Sequence, residues 1–315
     1  MTPEALLLLD SASLYFRAYF GVPGTVRAPD GTPVNAVRGF LDAITTLVTT
    51  RRPARLVACW DEDWRPAFRV AAIPSYKAHR VASTSPVAED VPDELTVQVP
   101  IIVAMLEAFG ICRAGAAGYE ADDVIGTLVA RELARPPAER AQPIDVVTGD
   151  RDLFQLVDDA GPVRVLYTAK GLRDLETVDE ARLRARYGVA GGRAYADMAV
   201  LRGDPSDGLP GVAGIGEKTA AALLTKFGSL EGLLAARDND DHGLPSLQRR
   251  RLLEAAAYLE VAPAVVRVAL DAPVPSLADD LPTTPARPDG VVELAERWGL
   301  AGPATRLVNA LTGAG

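Results

Sequence analysis

Along the first half of the chain, apolar residues fall alternately into short continuous runs and into longer stretches with helical spacing. ALLLL at 5–9, RLVACW at 55–60, GICRA at 110–114, IDVVT at 144–148 and VRVLYT at 163–168 have the length of buried strands. Between them, residues 35–50, 99–109 and 120–134 space their apolar positions three and four apart, as helices do. Strands alternating with helices predict an α/β fold with a mostly parallel central sheet flanked by helices. One polar interval, Asp61 to Pro92, breaks the rhythm with SYKAHR and a Ser/Thr/Pro tract. It is too long for an ordinary connection, and such insertions in compact domains are functional or mobile.

From about residue 177 the pattern becomes helical. TVDEARLRARYG predicts a helix with Thr177 and Glu180 in capping-box spacing and a stop at Gly188. RAYADMAVLRGD, EKTAAALLTKFG with Gly228 as its stop, and SLQRRRLLEAAAYLE follow. Five prolines between Ala272 and Gly290 mark a linker, and a last helical segment runs from about Val291 to Leu311. The expected divisions are therefore 1–176, 177–270 and 271–315.

Composition narrows the chemistry. With 48% hydrophobic residues, 315 residues can bury a sizeable core. The N-terminal apolar run is only a few residues long and carries Glu4 in place of a basic leader, so a first strand is expected and not a signal peptide. No apolar stretch approaches the roughly 20 residues that cross a bilayer. Cys59 and Cys112 sit in apolar settings that suit inert thiols, and a reducing cytoplasm is the expected location. His79 and His242 are the only histidines, which leaves little room for Ser-His-Asp or zinc-protease chemistry. Any catalysis rests mainly on carboxylates.

The acids are not scattered. ALLLL runs into Asp10, RLVACW into Asp61, and IDVVTG into Asp150 with Asp152 two residues on. Parallel sheets bring the carboxyl ends of their strands to one edge, so these acids are expected to converge. YEADD adds Glu120, Asp122 and Asp123 at a helix start, and GDPSDG adds Asp204 and Asp207. Singly, each group also reads as ordinary cap or turn chemistry. Nine carboxylates near one place repel one another unless cations neutralise them, and all-oxygen sets suit Mg²⁺ or Mn²⁺. Two such ions are the machinery of phosphodiester hydrolysis. The net charge of −9 argues against a nucleic-acid partner only until it is located: setting nine acids aside from the 42 Asp and Glu leaves 33, the number of Lys and Arg.

GVAGIGEKTA, Gly211 to Ala220, nearly matches a nucleotide phosphate loop, but Glu217 separates Gly216 from Lys218 and no core strand precedes it. It fits a helix, a tight glycine hairpin and a second helix. Gly211, Gly214 and Gly216 let backbone amides approach phosphates closely, and Lys218 adds charge. Such contacts grip a nucleic-acid backbone without reading sequence.

The ordered set LLLDS, CWDED, SYKAHR, GYEADD, TGDRD and GDPSDGLPGVAGIGEKTA closely resembles the 5′-3′ exonuclease and flap endonuclease family, in particular the N-terminal nuclease domain of bacterial DNA polymerase I, over about residues 5–270. No polymerase region accompanies it, so the chain resembles a stand-alone member. The resemblance implies a metal-dependent nuclease that acts on duplex DNA with a 5′ flap, nick or 5′ end, and on RNA-primed DNA. It implies a PIN-like 5′ nuclease fold with a helical arch over about 64–94, and a DNA-binding helix-hairpin-helix region within 177–270. The family's metal acids match the nine residues named above. Its arch-base residues match Tyr76, Lys77 and Arg80: the cations are expected to stabilise the scissile phosphate and the tyrosine to stack on a base. The hairpin element, which holds duplex DNA and often K⁺ through backbone carbonyls, matches Leu209 to Ala220, including Ile215, Lys218 and Thr219; Arg17 matches a basic position in some relatives. Ser11 and Gly208 depart from the family pattern, which has glycine and asparagine there. Two other readings are a PIN-type ribonuclease, which generally lacks both hairpin and insertion, and a non-catalytic structure-specific DNA-binding module, in which nine idle acids would repel phosphates.

Overall fold

The computed structural model describes residues 5–83, 85 and 88–313, so Thr84, Pro86 and Val87 of the polar insertion lie outside the described residues. β1 (Leu6–Asp10) is buried at every position, and its leucines alternate: Leu6 and Leu8 enter one core, Leu7 and Leu9 the other. A strand covered on both faces needs no polar side. It passes directly into α1 (Ser11–Gly21) because the Asp10 carboxylate accepts the Ser13 N–H at 3.1 Å. Next come α2 (Asn35–Arg51) and β2 (Arg55–Cys59). The insertion holds α3 (Ala67–Ala72), a 3₁₀ turn at Ala78–Arg80 and α4 (Asp93–Thr96). The core resumes with α5 (Val99–Phe109), β3 (Cys112–Ala114), α6 (Ala121–Leu133), β4 (Ile144–Thr148), β5 (Val163–Tyr167) and β6 (Glu176–Val178). The strands form one sheet in the order β3-β2-β1-β4-β5-β6, parallel except for β5 with β6.

The helical half contains α7 (Glu180–Tyr187), α8 (Gly192–Arg202), α9 (Glu217–Phe227), α10 (Leu230–Asp238), α11 (Ser246–Glu254), α12 (Ala256–Val266), α13 (Pro288–Arg297) and α14 (Ala301–Thr312). One core joins Leu6, Leu8 and Val146 to Val124 of α6, Met198 of α8 and Leu224 of α9. The other joins Leu7 and Leu9 to Phe40 of α2, Met105 of α5 and Leu307 of α14.

Several local expectations change. Thr177 is not a cap: it lies in β6, paired with Leu166, and Asp179 caps α7 by accepting the Arg182 N–H at 2.7 Å. SLQRRRLLEAAAYLE is two helices, broken where Ala255 leaves helical geometry. The last segment is also two helices, separated at Gly299 with φ +65. No long helix forms the arch among the described residues. α3, the 3₁₀ turn and α4 take its place, joined by a bridge between Val81 and Glu89.

α2 shows how tertiary structure supplies what local sequence lacks. Its N-cap residue, Val34, makes no side-chain cap. Gln98, fully buried just before α5, instead accepts the Ala36 N–H at 2.8 Å and donates to Asn35 at 3.0 Å and to the Glu94 carbonyl at 2.8 Å. Gln98→Leu keeps the bulk and strands these polar groups, so it is expected to lower the unfolding free energy by about 2 kcal/mol in urea titration.

Candidate active site

The parallel register puts the ends of β1, β2 and β4 side by side. Asp10, Asp61 and Asp150 line one pocket of about 250 Å³ with Glu120 and Asp122 from the start of α6. A narrower recess of about 30 Å³ shares Glu120, Asp122 and Asp150 and adds Asp152 and Asp207. Seven of the nine expected acids therefore meet at one edge of the sheet.

Five of the seven, Asp10, Asp61, Glu120, Asp150 and Asp207, are held by the chain around them. Asp10 accepts the Thr148 hydroxyl at 2.6 Å, and the same hydroxyl accepts the Asp150 N–H at 2.8 Å, so the last residue of β4 sets two acids at once. Asp61 accepts the Ala121 N–H at 2.7 Å, capping α6 from across the sheet. Asp150 accepts the Asp152 N–H at 2.9 Å, and Asp207 accepts from Arg80 at 2.6 Å. Lys77 pairs with Glu120, to which the Tyr76 hydroxyl also donates at 2.7 Å.

The two remaining acids stand apart. Asp204 lines neither cavity; it accepts the Ser206 N–H at 2.8 Å and starts the 3₁₀ turn Pro205–Asp207. Asp123 is 0% exposed and saturated. It takes two hydrogen bonds from Arg69 at 2.6 and 2.7 Å and one from the Ala269 N–H at 2.7 Å. It orients its neighbours instead of facing the pocket. Arg69 is the residue that sequence reading missed. Its guanidinium, 3% exposed, also donates to Glu120 at 2.6 Å and to the Val265 carbonyl at 3.0 Å. The signal was a single charge within the otherwise apolar AFRVAAI.

Tyr76 also differs from expectation. It is 5% exposed and belongs to the core, because its hydroxyl is needed at Glu120; no ring face is open for a base. Tyr15, Phe16 and Trp64 line the pocket instead, with Glu89 as a further acid. Arg17 points elsewhere and donates to the Ala169 carbonyl at 3.2 Å.

The hairpin forms between α8 and α9. Leu209 and Asp204 bridge it, with N–H to carbonyl distances of 2.8 and 2.9 Å. Ile215 is buried and anchors the loop, while Gly214, Gly216 and Lys218 are exposed and Thr219 is half-buried at the start of α9. Gly211 has φ +66, and a Cβ there would lie 2.4 Å from the Arg202 carbonyl oxygen. The Gly214 carbonyl accepts from Arg251 at 2.8 Å. The hairpin and the insertion also touch: Lys77 N–H donates to the Asp207 carbonyl at 2.9 Å, and the Ser75 hydroxyl to the Gly208 carbonyl at 2.7 Å. Gly208 has φ +73, and a Cβ would lie 2.1 Å from the Ser75 carbonyl oxygen, so no asparagine fits there in this arrangement.

Burial and mutual repulsion raise the carboxyl pKa values. Burial pushes Asp10 up to about 7, with the Asp61 and Asp150 charges adding to it. Burial and the charges of Asp150, Asp207 and Asp204 push Asp152 up to about 8. Asp122 is raised well above the ordinary range, again first by burial and then by Asp10 and Asp150. Among the described residues no three acidic, histidine or cysteine side chains close on one point as a ready-made metal cage, because the carboxylates are turned toward protein donors. The donor set still fits a hard divalent cation: it is all oxygen, crowded, and raised in pKa first by burial and then by the repulsion of neighbouring carboxylates.

Comparison with known proteins fits this geometry. Residues 5–188 match the model for the 5′-3′ exonuclease N-terminal resolvase-like domain, and residues 191–289 that for the 5′-3′ exonuclease C-terminal SAM fold. A 5′-3′ exonuclease of Streptomyces coelicolor is 60% identical over 97% of this chain and 100% of that protein. One of Mycobacterium tuberculosis is 52% identical over 97% of each chain. Among solved structures, a bacteriophage T5 flap endonuclease in a pseudo-enzyme–product complex with DNA and metal ions shares the fold, with TM-score 0.65 and 15% identity over 98% of both chains.

Two outcomes test the site. Arg69→Met leaves the buried Asp123 carboxylate without its cation and Glu120 with Lys77 alone, and is expected to cost about 3–5 kcal/mol in chemical denaturation. For Asp10 and Asp152 the folded state holds its protons more tightly than the unfolded state, so they weaken the fold as pH rises from 3.8 through about 7 and 8. A cation that binds the ionised forms relieves this. Mg²⁺ is therefore expected to raise the melting temperature clearly at pH 8 and little at pH 5, and an equal rise at both would contradict the assignment.

Proposed function

The chain belongs to the 5′-3′ exonuclease family and is a nuclease that hydrolyses DNA, and we propose that it acts on duplex DNA with a 5′ flap, nick or 5′ end, including RNA-primed ends, as an enzyme of replication and repair. The observation that carries this reading is the convergence of Asp10, Asp61, Glu120, Asp122 and Asp150 in one pocket beside Lys77 and Arg80. The membership leaves neither a PIN-type ribonuclease nor a non-catalytic binding module with an observation in its favour. No described helix is long and apolar enough to cross a membrane, and work beside the nucleoid suits such a substrate.

Asp10, Asp61, Glu120, Asp122 and Asp150 would hold the divalent cation, Mg²⁺ or Mn²⁺, with Asp152, Asp204 and Asp207 reached through the adjoining recess and turn. When bound, such ions supply charge for the scissile phosphate and acidify an attacking water. The chain's own residues do the rest. Thr148 and the Ala121 amide fix Asp10 and Asp61 before substrate arrives. Lys77 and Arg80, now paired with Glu120 and Asp207, are the positive charges that line the pocket. A phosphate entering there would draw them from carboxylate to substrate, where they stabilise the charge that develops in the transition state. The amides opening α9, with Lys218, would hold the duplex backbone.

With a 5′-labelled flap substrate, Mg²⁺ or Mn²⁺ is expected to support cleavage and EDTA to abolish it. Asp150→Asn is expected to lower the rate at least about 100-fold while duplex binding persists, since only chemistry is removed. Cleavage at the full rate by Asp150→Asn would remove that residue from the reaction.

A further inference from the structure

Just beyond β4 the chain carries Asp150 and then closes into a 3₁₀ turn, Asp152–Leu156. So short a turn makes few hydrogen bonds of its own, and the direction of Asp152 depends on what holds the turn from outside. The Gln155 side chain is such a hold. Its amide nitrogen donates to the Asp152 carbonyl at 2.8 Å and to the Val266 carbonyl at 3.2 Å, and its amide oxygen accepts the Val268 N–H at 2.9 Å. Both donors face carbonyls and the oxygen faces an N–H, so only one orientation of the amide satisfies the site. We propose that Gln155 is a positioning residue of the nuclease site: it sets Asp152 by fixing the turn that carries it to the stretch Val265–Ala269. The proposal rests on the reading that Asp152 is one of the metal-holding acids.

The same stretch is fastened to the other acids. The Val265 carbonyl accepts from Arg69 at 3.0 Å and the Ala269 N–H donates to Asp123 at 2.7 Å, so it bears on the start of α6 as well as on the turn. Between them, Arg267 pairs with the buried Asp197 of α8 at 2.7 Å. The start of α8 also presses on the turn: Gly192 N–H donates to the Val157 carbonyl at 3.0 Å, and a Cβ on Gly192 would lie 2.3 Å from the Gln155 carbonyl oxygen. Gln155 thus sits where the turn with Asp152, the stretch that holds Arg69, and the helix that leads to the hairpin all meet. Its side chain also lines the recess that gathers Glu120, Asp122, Asp150, Asp152 and Asp207. An acid that must be ordered before it can take a metal binds more weakly, and partners that orient metal ligands from behind change affinity or activity by about 10–100-fold when removed.

Gln155→Met keeps the length of the side chain and removes its amide. It is expected to bind Mn²⁺, followed by electron paramagnetic resonance of the free ion, about tenfold more weakly than wild type, and to need about tenfold more Mg²⁺ for half-maximal cleavage of a 5′-labelled flap. Its affinity for that flap DNA in EDTA is expected to stay within about twofold of wild type, because the hairpin is untouched. Thr127→Val is the comparison, since Thr127 holds the same part of the chain one turn of α6 away from Asp123: it donates to the Ala269 carbonyl at 3.3 Å and accepts the Ala272 N–H at 3.0 Å. This variant is expected to unfold at lower urea and to bind Mn²⁺ within about twofold of wild type. Gln155→Asn, one methylene too short to reach both carbonyls, is expected to match Gln155→Met and replaces it where that variant does not fold. Mn²⁺ affinity within about twofold of wild type in the Gln155 variants would overturn the proposal. So would an equal loss of Mn²⁺ affinity in Thr127→Val, because stability and not position would then set the site. Wild-type protein that binds no Mn²⁺ would defeat the reading of these acids as a metal site, and this proposal with it.

Discussion

Carboxylates held out of water resist ionisation, and those that do ionise repel one another; seven of them at one edge of this sheet define the problem that the surrounding structure solves. Asp10 and Asp152 show the effect in their raised pKa values. Three cations answer part of it from the polar insertion. Arg69 is buried between Glu120 and Asp123, Lys77 meets Glu120, and Arg80 meets Asp207. The remainder, chiefly Asp10, Asp61, Asp122 and Asp150, has no cation of the protein paired with it, and that residue of unbalanced charge is what the proposed divalent ions would neutralise.

The three cations differ in kind. Arg69 is enclosed and forked across two acids, so its role is to fix the start of α6, and through the Val265 carbonyl it ties that start to the end of α12. Lys77 and Arg80 line the pocket, each paired with one carboxylate, Glu120 and Asp207. Asp123 belongs with Arg69 and the scaffold, although it stands in the same YEADD stretch as Glu120 and Asp122. Neighbouring acids on a helix face different surroundings, and only one of these surroundings is a pocket.

The carboxylate pocket and the hairpin are joined. Ser75 and Lys77 of the insertion bond to Gly208 and Asp207, which open the hairpin. Gly203 and Gly211 meet across its base so closely that a Cβ on Gly203 would lie 2.5 Å from the Gly211 nitrogen. The spacing between the amides that open α9 and the carboxylates is thus set by direct contacts and not by a flexible tether.

Strand positions were legible in the sequence because a strand buried on both faces is a continuous apolar run, and ALLLL, RLVACW and IDVVT have no competing helical period. Parallel pairing then required Asp10, Asp61 and Asp150 to converge, and the glycine pattern of LPGVAGIGEKTA required a hairpin. Other features depended on residues distant in the chain. Gln98 caps a helix 62 positions away, Arg69 reaches Asp123 across 54, and Arg251 meets Gly214 across 37. Thr177 had the local spacing of a cap, yet the open edge of β5 offered it a ladder and Asp179 took the cap. Periodicity encodes which face of an element is buried, because that depends on neighbours a few residues apart. Which buried acid is neutralised by an arginine and which is left for a metal depends on what the fold packs above it, and only the tertiary structure decides that.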